Sequence, residues 1–194
     1  MSKSSKFFEE KIKKIAKLRI IYDIGGCSPF QKKLKPHKEK FINCVYKTVD
    51  IDLSCNPDIL ADIHDLPISS QSADGVLCLS VLEHVRDPFR VVAEVYRIIK
   101  PGGYALFHVP FIYPYHGLDY WRFSEDGVKC LFGEFSAIEI CPVKGYFETI
   151  IGLLPYCNKF IISIFIYLAR FLDTISDKHQ SKKQTSGFFV FLKK

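Results

Sequence analysis

The residues able to do chemistry in this 194-residue chain gather at a few points. Asp23 ends a short β-branched run and is followed, after Ile24, by Gly25, Gly26, Cys27, Ser28 and Pro29. A strand that stops abruptly in glycines lets a flat ligand lie against bare backbone. The acid at its carboxyl end can accept a hydrogen bond or balance a cation. Asp50, Ser80 and His108 lie at or near the ends of later apolar runs. Residues 111–123 read Phe-Ile-Tyr-Pro-Tyr-His-Gly-Leu-Asp-Tyr-Trp-Arg-Phe, with His116, Asp119 and Arg122 set among the rings. A loop so rich in amphipathic rings more often lines a pocket than floats free. His84, His108, His116 and Asp119 are the candidate proton acceptors, and Arg122 can clamp a carboxylate or phosphate. Each has a plainer reading: a tight turn for the glycines, a helix-entrance cap for His84, a core histidine for His108.

The elements that must position these groups follow from periodicity. Residues 7–18 place Phe8, Ile12, Ile15 and Ala16 at helical spacing between lysines, which predicts an amphipathic helix. The helix after the glycine turn must be short, because Pro36 interrupts residues 30–40. Residues 45–51 read as a second strand, and 59–63 as a further short apolar piece. The continuous run 75–80 suits a strand buried on both faces. A helix follows, with Pro88 near its start and Phe89, Val92, Val95, Tyr96 and Ile99 on one face. Lys100-Pro101-Gly102-Gly103 stops it, and 104–109 is the next strand. Ser124 caps a helix over 124–132 whose first turn holds Glu125 and Asp126. Residues 137–142 and 187–192 complete the strands, and 176–186 is polar and loop-like. Strands alternating with helices predict an α/β doubly wound sheet, in which ligands sit beyond the carboxyl ends of the strands.

One domain over residues 1–194 is the natural expectation for this length. Within it, 1–19 is the amphipathic helix, 20–142 the core, 143–186 a helical cover with a polar loop, and 187–194 the final strand. The formal charge of +6 is concentrated in two lysine-rich groups, one at the N-terminus and one over residues 32–40. A solvated face is the expected reason, although such faces can also meet nucleic acid, anionic lipid or acidic glycans. Seven scattered cysteines without a C-x-x-C spacing point to free thiols in a reducing compartment and away from zinc; no metal is expected. No apolar region follows the charged N-terminus, so no signal peptide is read and a cytoplasmic location is expected. The apolar segment 149–172 is interrupted by Pro155, Asn158 and Lys159, which makes a membrane span costly. A helical cover is expected instead, and its apolar surface could also rest on the inner face of a bilayer, helped by the N-terminal lysines.

Taken together these pieces resemble the class I S-adenosylmethionine-dependent methyltransferases, particularly the UbiE-like group. The resemblance runs from Ile20 to Phe132 and rests on Asp23-Ile-Gly-Gly-Cys-Ser28, Val49-Asp-Ile-Asp52, Ala61-Asp-Ile-His-Asp-Leu-Pro67, Ala73-Asp-Gly-Val76, Leu82-Glu-His-Val85 and Ile99-Lys-Pro-Gly-Gly103. It implies a Rossmann-like, mostly parallel seven-stranded sheet with helices on both faces and an antiparallel last strand. It implies S-adenosylmethionine as cofactor, held by Asp23, Gly25, Gly26, Cys27, Asp50, Ile51, Asp62, Ile63 and Ser80. Within that set Asp50 would accept from the ribose hydroxyls, with Asp52 as fallback. Asp62 would accept from the adenine amino group, the Ile63 N–H would donate to the ring, and Ser80 would floor the methionine. His116, Asp119 and His84 are then the candidate catalytic residues. His108, Tyr113, Tyr120, Trp121 and Arg122 are the candidate acceptor contacts. The usual third glycine of the first motif is missing, with Cys27, Ser28 and Pro29 after Gly26. No G-x-G-x-x-G is present, which argues against a nicotinamide dehydrogenase. Ser80-Val-Leu-Glu83 stands where nucleic-acid amino-methylating enzymes carry Asn/Asp-Pro-Pro-Tyr, so a nucleic-acid acceptor is not expected. The resemblance suggests a small-molecule, saccharide or lipid-linked acceptor. The competing reading is a methyltransferase-fold binding or regulatory subunit without catalysis.

Overall fold

A computed structural model describes residues 2–27, 29–30, 32–115, 117–154, 159–175 and 184–194. Seven strands form one sheet: β1 (Ile20–Ile24), β2 (Val45–Asp50), β3 (Ile59–Leu60), β4 (Ala73–Leu79), β5 (Ile99–Pro110), β6 (Ala137–Pro142) and β7 (Gly187–Lys193). Their order is β3-β2-β1-β4-β5-β7-β6. β3, β2, β1, β4 and β5 pair in parallel, while β7 runs antiparallel to both β5 and β6. The expected mostly parallel Rossmann-like sheet is therefore present, with its antiparallel last strand inserted second from the edge. The order reverses between β1 and β4, and this switch point sets where a ligand can enter beyond the strand ends.

Period-two alternation divides the core between the two faces. Val76, Cys78, Phe107, Val190 and Leu192 point to the side covered by α2 (Pro88–Ile98) and α3 (Glu125–Leu131). Leu77, Leu106, Phe189 and Phe191 point to the side covered by α1 (Lys3–Ile15) and by a 3-10 helix over Lys32–Phe41. The proline expected to shorten that segment, Pro36, lies inside the 3-10 helix. α1 begins before the predicted residue 7, because the Ser2 side chain caps it by accepting from the Ser5 amide.

Three departures have physical reasons. Phe89 was expected on the buried face of its helix but is 55% exposed, since α2 starts only at Pro88 and its buried positions fall at Val91, Val92, Val95 and Ile98. The Lys100–Gly103 turn does not precede a strand but is absorbed into β5 as an irregularity between the Ala73 and Gly75 registers of β4. One N-terminal lysine is not part of a solvated face: Lys11 is buried and pairs with Glu139 at 2.7 Å, whereas Lys14 is exposed with its ammonium 4.1 Å from the Tyr104 ring centroid. Ring faces attract such ammonium groups.

The segment read as a cover holds two helices, α4 (Tyr146–Gly152) and α5 (Lys159–Ile175). Asp173 on α5 accepts from the amides of Phe147 and Glu148 and so caps α4. Arg170 adds an ion pair to Glu148 at 2.9 Å. No helix among the described residues is long and apolar enough to cross a membrane. Most of the polar loop expected at 176–186 lies outside the described residues.

Candidate active site

Two cavities open beyond the strand ends at the β1/β4 switch, and they share Gly25 and Ser80. The first, about 480 Å³, is walled by Asp23, Gly25, Gly26, Ser80, His108 and Tyr113 on the side nearest the strand ends. The second, about 430 Å³, is walled by Asp50, Ile51, Asp62, Ile63, His84 and Tyr120 in addition to the shared pair. Both volumes fall in the roughly 300–1,000 Å³ usual for small-molecule sites. Sequence motifs separated by up to 97 residues, Asp23 to Tyr120, thus meet along one trough.

The glycines are required by the protein's own packing. A Cβ on Gly25 would sit 2.5 Å from a Val81 methyl, and its φ of +68° disfavours any side chain. A Cβ on Gly26 would meet the Asp23 carboxylate at 2.5 Å. Their absence of side chains lets β1 end against the β4 terminus and lets Asp23 fold back beneath the loop. Cys27 also adopts positive φ, at 47°, and is joined by a disulfide to Cys55. This corrects the expectation of free thiols throughout. The bond ties the glycine loop to the segment after β2, with Cα atoms 4.9 Å apart. Cys78 and Cys141 are buried free thiols as expected of small hydrophobes, while Cys157 lies outside the described residues.

Asp50 holds the same two segments together a second time. One oxygen accepts from the Cys27 amide at 2.9 Å and the other from the Asp52 amide at 3.0 Å. Each oxygen keeps a second lone pair for a ligand hydroxyl. Asp52, the fallback for that role, caps a short 3-10 turn through Ser54 and lines neither cavity. Asp62 accepts from the amide and the Nδ1 of His64, at 2.9 and 2.6 Å, and the amide bond leads in holding its pKa below the ordinary value.

Asp23 is 3% exposed and accepts a short hydrogen bond from the Tyr46 hydroxyl. Burial pushes its pKa up to about 6; the Tyr46 bond opposes this, and the Asp50 charge adds to it. Burial and the Asp23 charge raise the Tyr46 pKa, so the phenol stays protonated as the donor. Tyr46 is held for this by stacking on Phe30 at 4.3 Å. Periodicity did not single out Tyr46. The signal available was its place in a strand parallel to β1, where Ile21 pairs with Tyr46 and Asp23 with Thr48.

His108 ends near the mouth of β5 and lies 2.7 Å from the Ser80 hydroxyl through Nδ1, with its ring 5.1 Å from Phe189. Ser80 takes φ +60° to make this contact and donates its amide to the His108 carbonyl. His84 donates Nδ1–H to the Leu118 carbonyl, since a carbonyl can only accept. Tyr120 and Trp121 dock the aromatic loop on the same turn, donating to the Glu83 and Val85 carbonyls at 2.7 and 2.9 Å.

The aromatic loop is arranged differently from the expectation. Asp119 and Arg122, read as base and clamp, form an ion pair with each other, and the Asp119 side chain is fully buried. Neither lines a cavity, and nor do Trp121 or Cys27. The Asp119 hydrogen bond raises the Arg122 pKa further. His116 lies outside the described residues.

The donor set fits S-adenosylmethionine. Asp50 and Asp62 offer acceptors along the second cavity, where a ribose diol and an exocyclic amine need them. Asp23, a buried carboxyl held near neutrality at the head of the first cavity, suits a ligand that brings a positive charge.

A family model described as a methyltransferase domain matches residues 28–107. A ubiquinone biosynthesis O-methyltransferase of Pseudomonas putida is 53% identical over 34 residues, which is 18% of this chain and 15% of that enzyme's length. A SAM-dependent methyltransferase from Archaeoglobus fulgidus superposes with a TM-score of 0.67 at 16% identity, over 97% of this chain and 92% of the other. A phosphoethanolamine N-methyltransferase 2 of Haemonchus contortus, solved with S-adenosyl-L-methionine, gives 0.56 at 14% identity, covering 95% of this chain and 52% of its own. The motif order, the strand order and the superposition agree on the fold of the S-adenosylmethionine-dependent methyltransferases, and residues 28–107 match the methyltransferase-domain family within it.

Proposed function

We propose that the chain binds S-adenosylmethionine along the shared trough and methylates a small-molecule, saccharide or lipid-linked acceptor held in the 480 Å³ cavity. The observation that carries this reading is the sharing of Gly25 and Ser80 by two cavities, one lined with acceptor carboxylates and the other with His108. Asp50, Asp62 and the Ile63 amide would hold the nucleoside, and Asp23 with the Gly25–Gly26 backbone the amino-acid end. The cofactor, when bound, supplies an electrophilic methyl on a sulfonium.

Everything else falls to positioning and to the acceptor's proton. His108 donating Nδ1–H to the Ser80 oxygen leaves Nε2 as its basic atom, able to take a proton from an acceptor hydroxyl. Phe189 fixes the ring's tilt, and the role as base requires the tautomer in which Nδ1–H donates to Ser80. His84 is committed through Nδ1 to the aromatic loop and serves to close it. The Asp119–Arg122 pair acts in the same way.

The exposed apolar side chains of the cover, among them Leu153, Leu154, Phe165, Leu168 and Phe171, support the lipid-linked member of the acceptor set. Co-sedimentation with anionic vesicles, weakened by salt, is the expected result; no binding at any salt removes that member.

Calorimetry with S-adenosylmethionine tests the whole reading. Binding in the micromolar range, lost by tenfold or more in Asp50→Asn, is expected. No binding at millimolar ligand would favour the non-catalytic subunit instead.

A further inference from the structure

Two lysines converge on the acceptor cavity from segments far apart in sequence. Lys33 comes from the 3-10 helix after β1, and Lys144 from the connection between β6 and α4. Lys144 is anchored through its amide, which donates to the Thr185 hydroxyl at 3.1 Å, and the adjacent Val143 amide donates to the Gly187 carbonyl. The Lys33 residue is exposed at the rim, yet its ammonium lies 4.5 Å from the Phe189 ring centroid. That is the same ring His108 leans on. The two ammonium groups are near enough to oppose each other. After desolvation, the Lys144 charge is the other cause lowering the Lys33 pKa.

Among the described residues neither lysine forms an ion pair. The cavity does hold carboxylates, Asp23 and Glu83, but Asp23 is engaged by Tyr46 and Glu83 is buried with an oxygen 4.0 Å from the His84 ring. Two like charges facing one space, neither paired with a carboxylate, form a site one anion would complete. Ser186, on the same wall, adds a hydroxyl.

We propose that the methyl acceptor carries an anionic group, a phosphate or a carboxylate, seated between Lys33 and Lys144 while its nucleophile reaches His108. This rests on the methyltransferase reading of the site and narrows its acceptor. It also moves the anion-binding role from Arg122, which Asp119 neutralises, to the two lysines.

Inorganic phosphate and acetate serve as probes, titrated into the full chain alone and in the presence of saturating S-adenosylhomocysteine. Saturable millimolar binding of at least one is expected, and the preferred probe distinguishes a phosphate from a carboxylate tail. Lys33→Gln and Lys144→Gln should each weaken it by tenfold or more. Lys33→Arg should retain it, and Lys38→Gln, exposed on the same 3-10 helix, should leave it unchanged. Absence of saturable binding for both probes overturns the proposal, as does binding indifferent to both glutamine variants. S-adenosylhomocysteine binding with no anion binding sinks the anionic acceptor alone; failure of S-adenosylhomocysteine to bind sinks the methyltransferase reading, whatever the anions do.

Discussion

Cofactor affinity should depend on pH through Asp23. Its pKa lies near 6 against an ordinary 3.8, mainly because burial disfavours the charged carboxylate. The folded protein without cofactor therefore holds a proton there below about pH 6. A cation arriving beside it favours the ionised form and draws the pKa back down. If the ordinary value is restored on binding, affinity falls about tenfold between pH 7 and pH 5, or ~1.3 kcal/mol. Folding stability runs in the opposite sense. A raised carboxyl pKa contributes stability that is fully present below pH 3.8 and lost as pH rises through about 6, up to about 3 kcal/mol. Calorimetric titration of S-adenosylmethionine at pH 5, 6 and 7, in buffers of different ionisation heat, reads both the affinity and the proton released. Asp23→Asn should flatten the profile, which separates this carboxyl from the histidines in the same cavities. Tyr46→Phe removes the hydrogen bond that lowers the Asp23 pKa and should shift the midpoint upward. An affinity equal at pH 5 and pH 7, or higher at pH 5, would refute the reasoning.

Three further outcomes follow from the geometry. Reducing the Cys27–Cys55 bond releases a ring spanning a separation of 28 residues, a loss of about 3.6 kcal/mol by loop-closure reasoning; thermal unfolding should drop by roughly 7–14 °C with a dithiol, and an unchanged midpoint contradicts this. Gly25→Ala places a methyl 2.5 Å from Val81 at φ +68° and should cost roughly 1–3 kcal/mol, partly recovered by adding Val81→Ala; denaturant midpoints decide, and a neutral Gly25→Ala would count against the packing role. His108→Ala should lower kcat on a hydroxyl acceptor by about 100-fold or more with cofactor Kd unchanged, and an unaltered kcat removes His108 as the base.

Much of the fold was legible because burial leaves period-two and period-three-to-four marks. The run 75–80 read as a doubly buried strand, and Ser124 as a cap, from local sequence alone. The acids at strand ends were legible for a similar reason, since a polar side chain after an apolar run marks where the sheet stops. What stayed hidden was pairing across the chain. Nothing local distinguishes an Arg122 that clamps a ligand from one that neutralises Asp119 three residues away. The Cys27–Cys55 bond was equally invisible, because it depends on how closely the β1 and β2 loops approach. Lys33 and Lys144 are ordinary members of a basic composition until the β1 and β6 connections bring them to one cavity.

The position of β7 also bears on how the chain acquires its shape during synthesis. Residues 187–193 hydrogen-bond to β5 on one side and β6 on the other, and among the described residues β6 has no other strand beside it. Until those residues leave the ribosome, β6 has nothing to pair with, and the face of β5 meant for β7 is an open edge. Phe188 through Leu192 are all buried, so the core on both sides of the sheet waits for the same five side chains. The half of the sheet holding Asp23, Asp50 and Ser80 can pair earlier. The nascent chain should therefore pass through a state with the half around β1, β2 and β4 assembled and the half completed by β7 unsealed, a form that a chaperone or a protease would meet first.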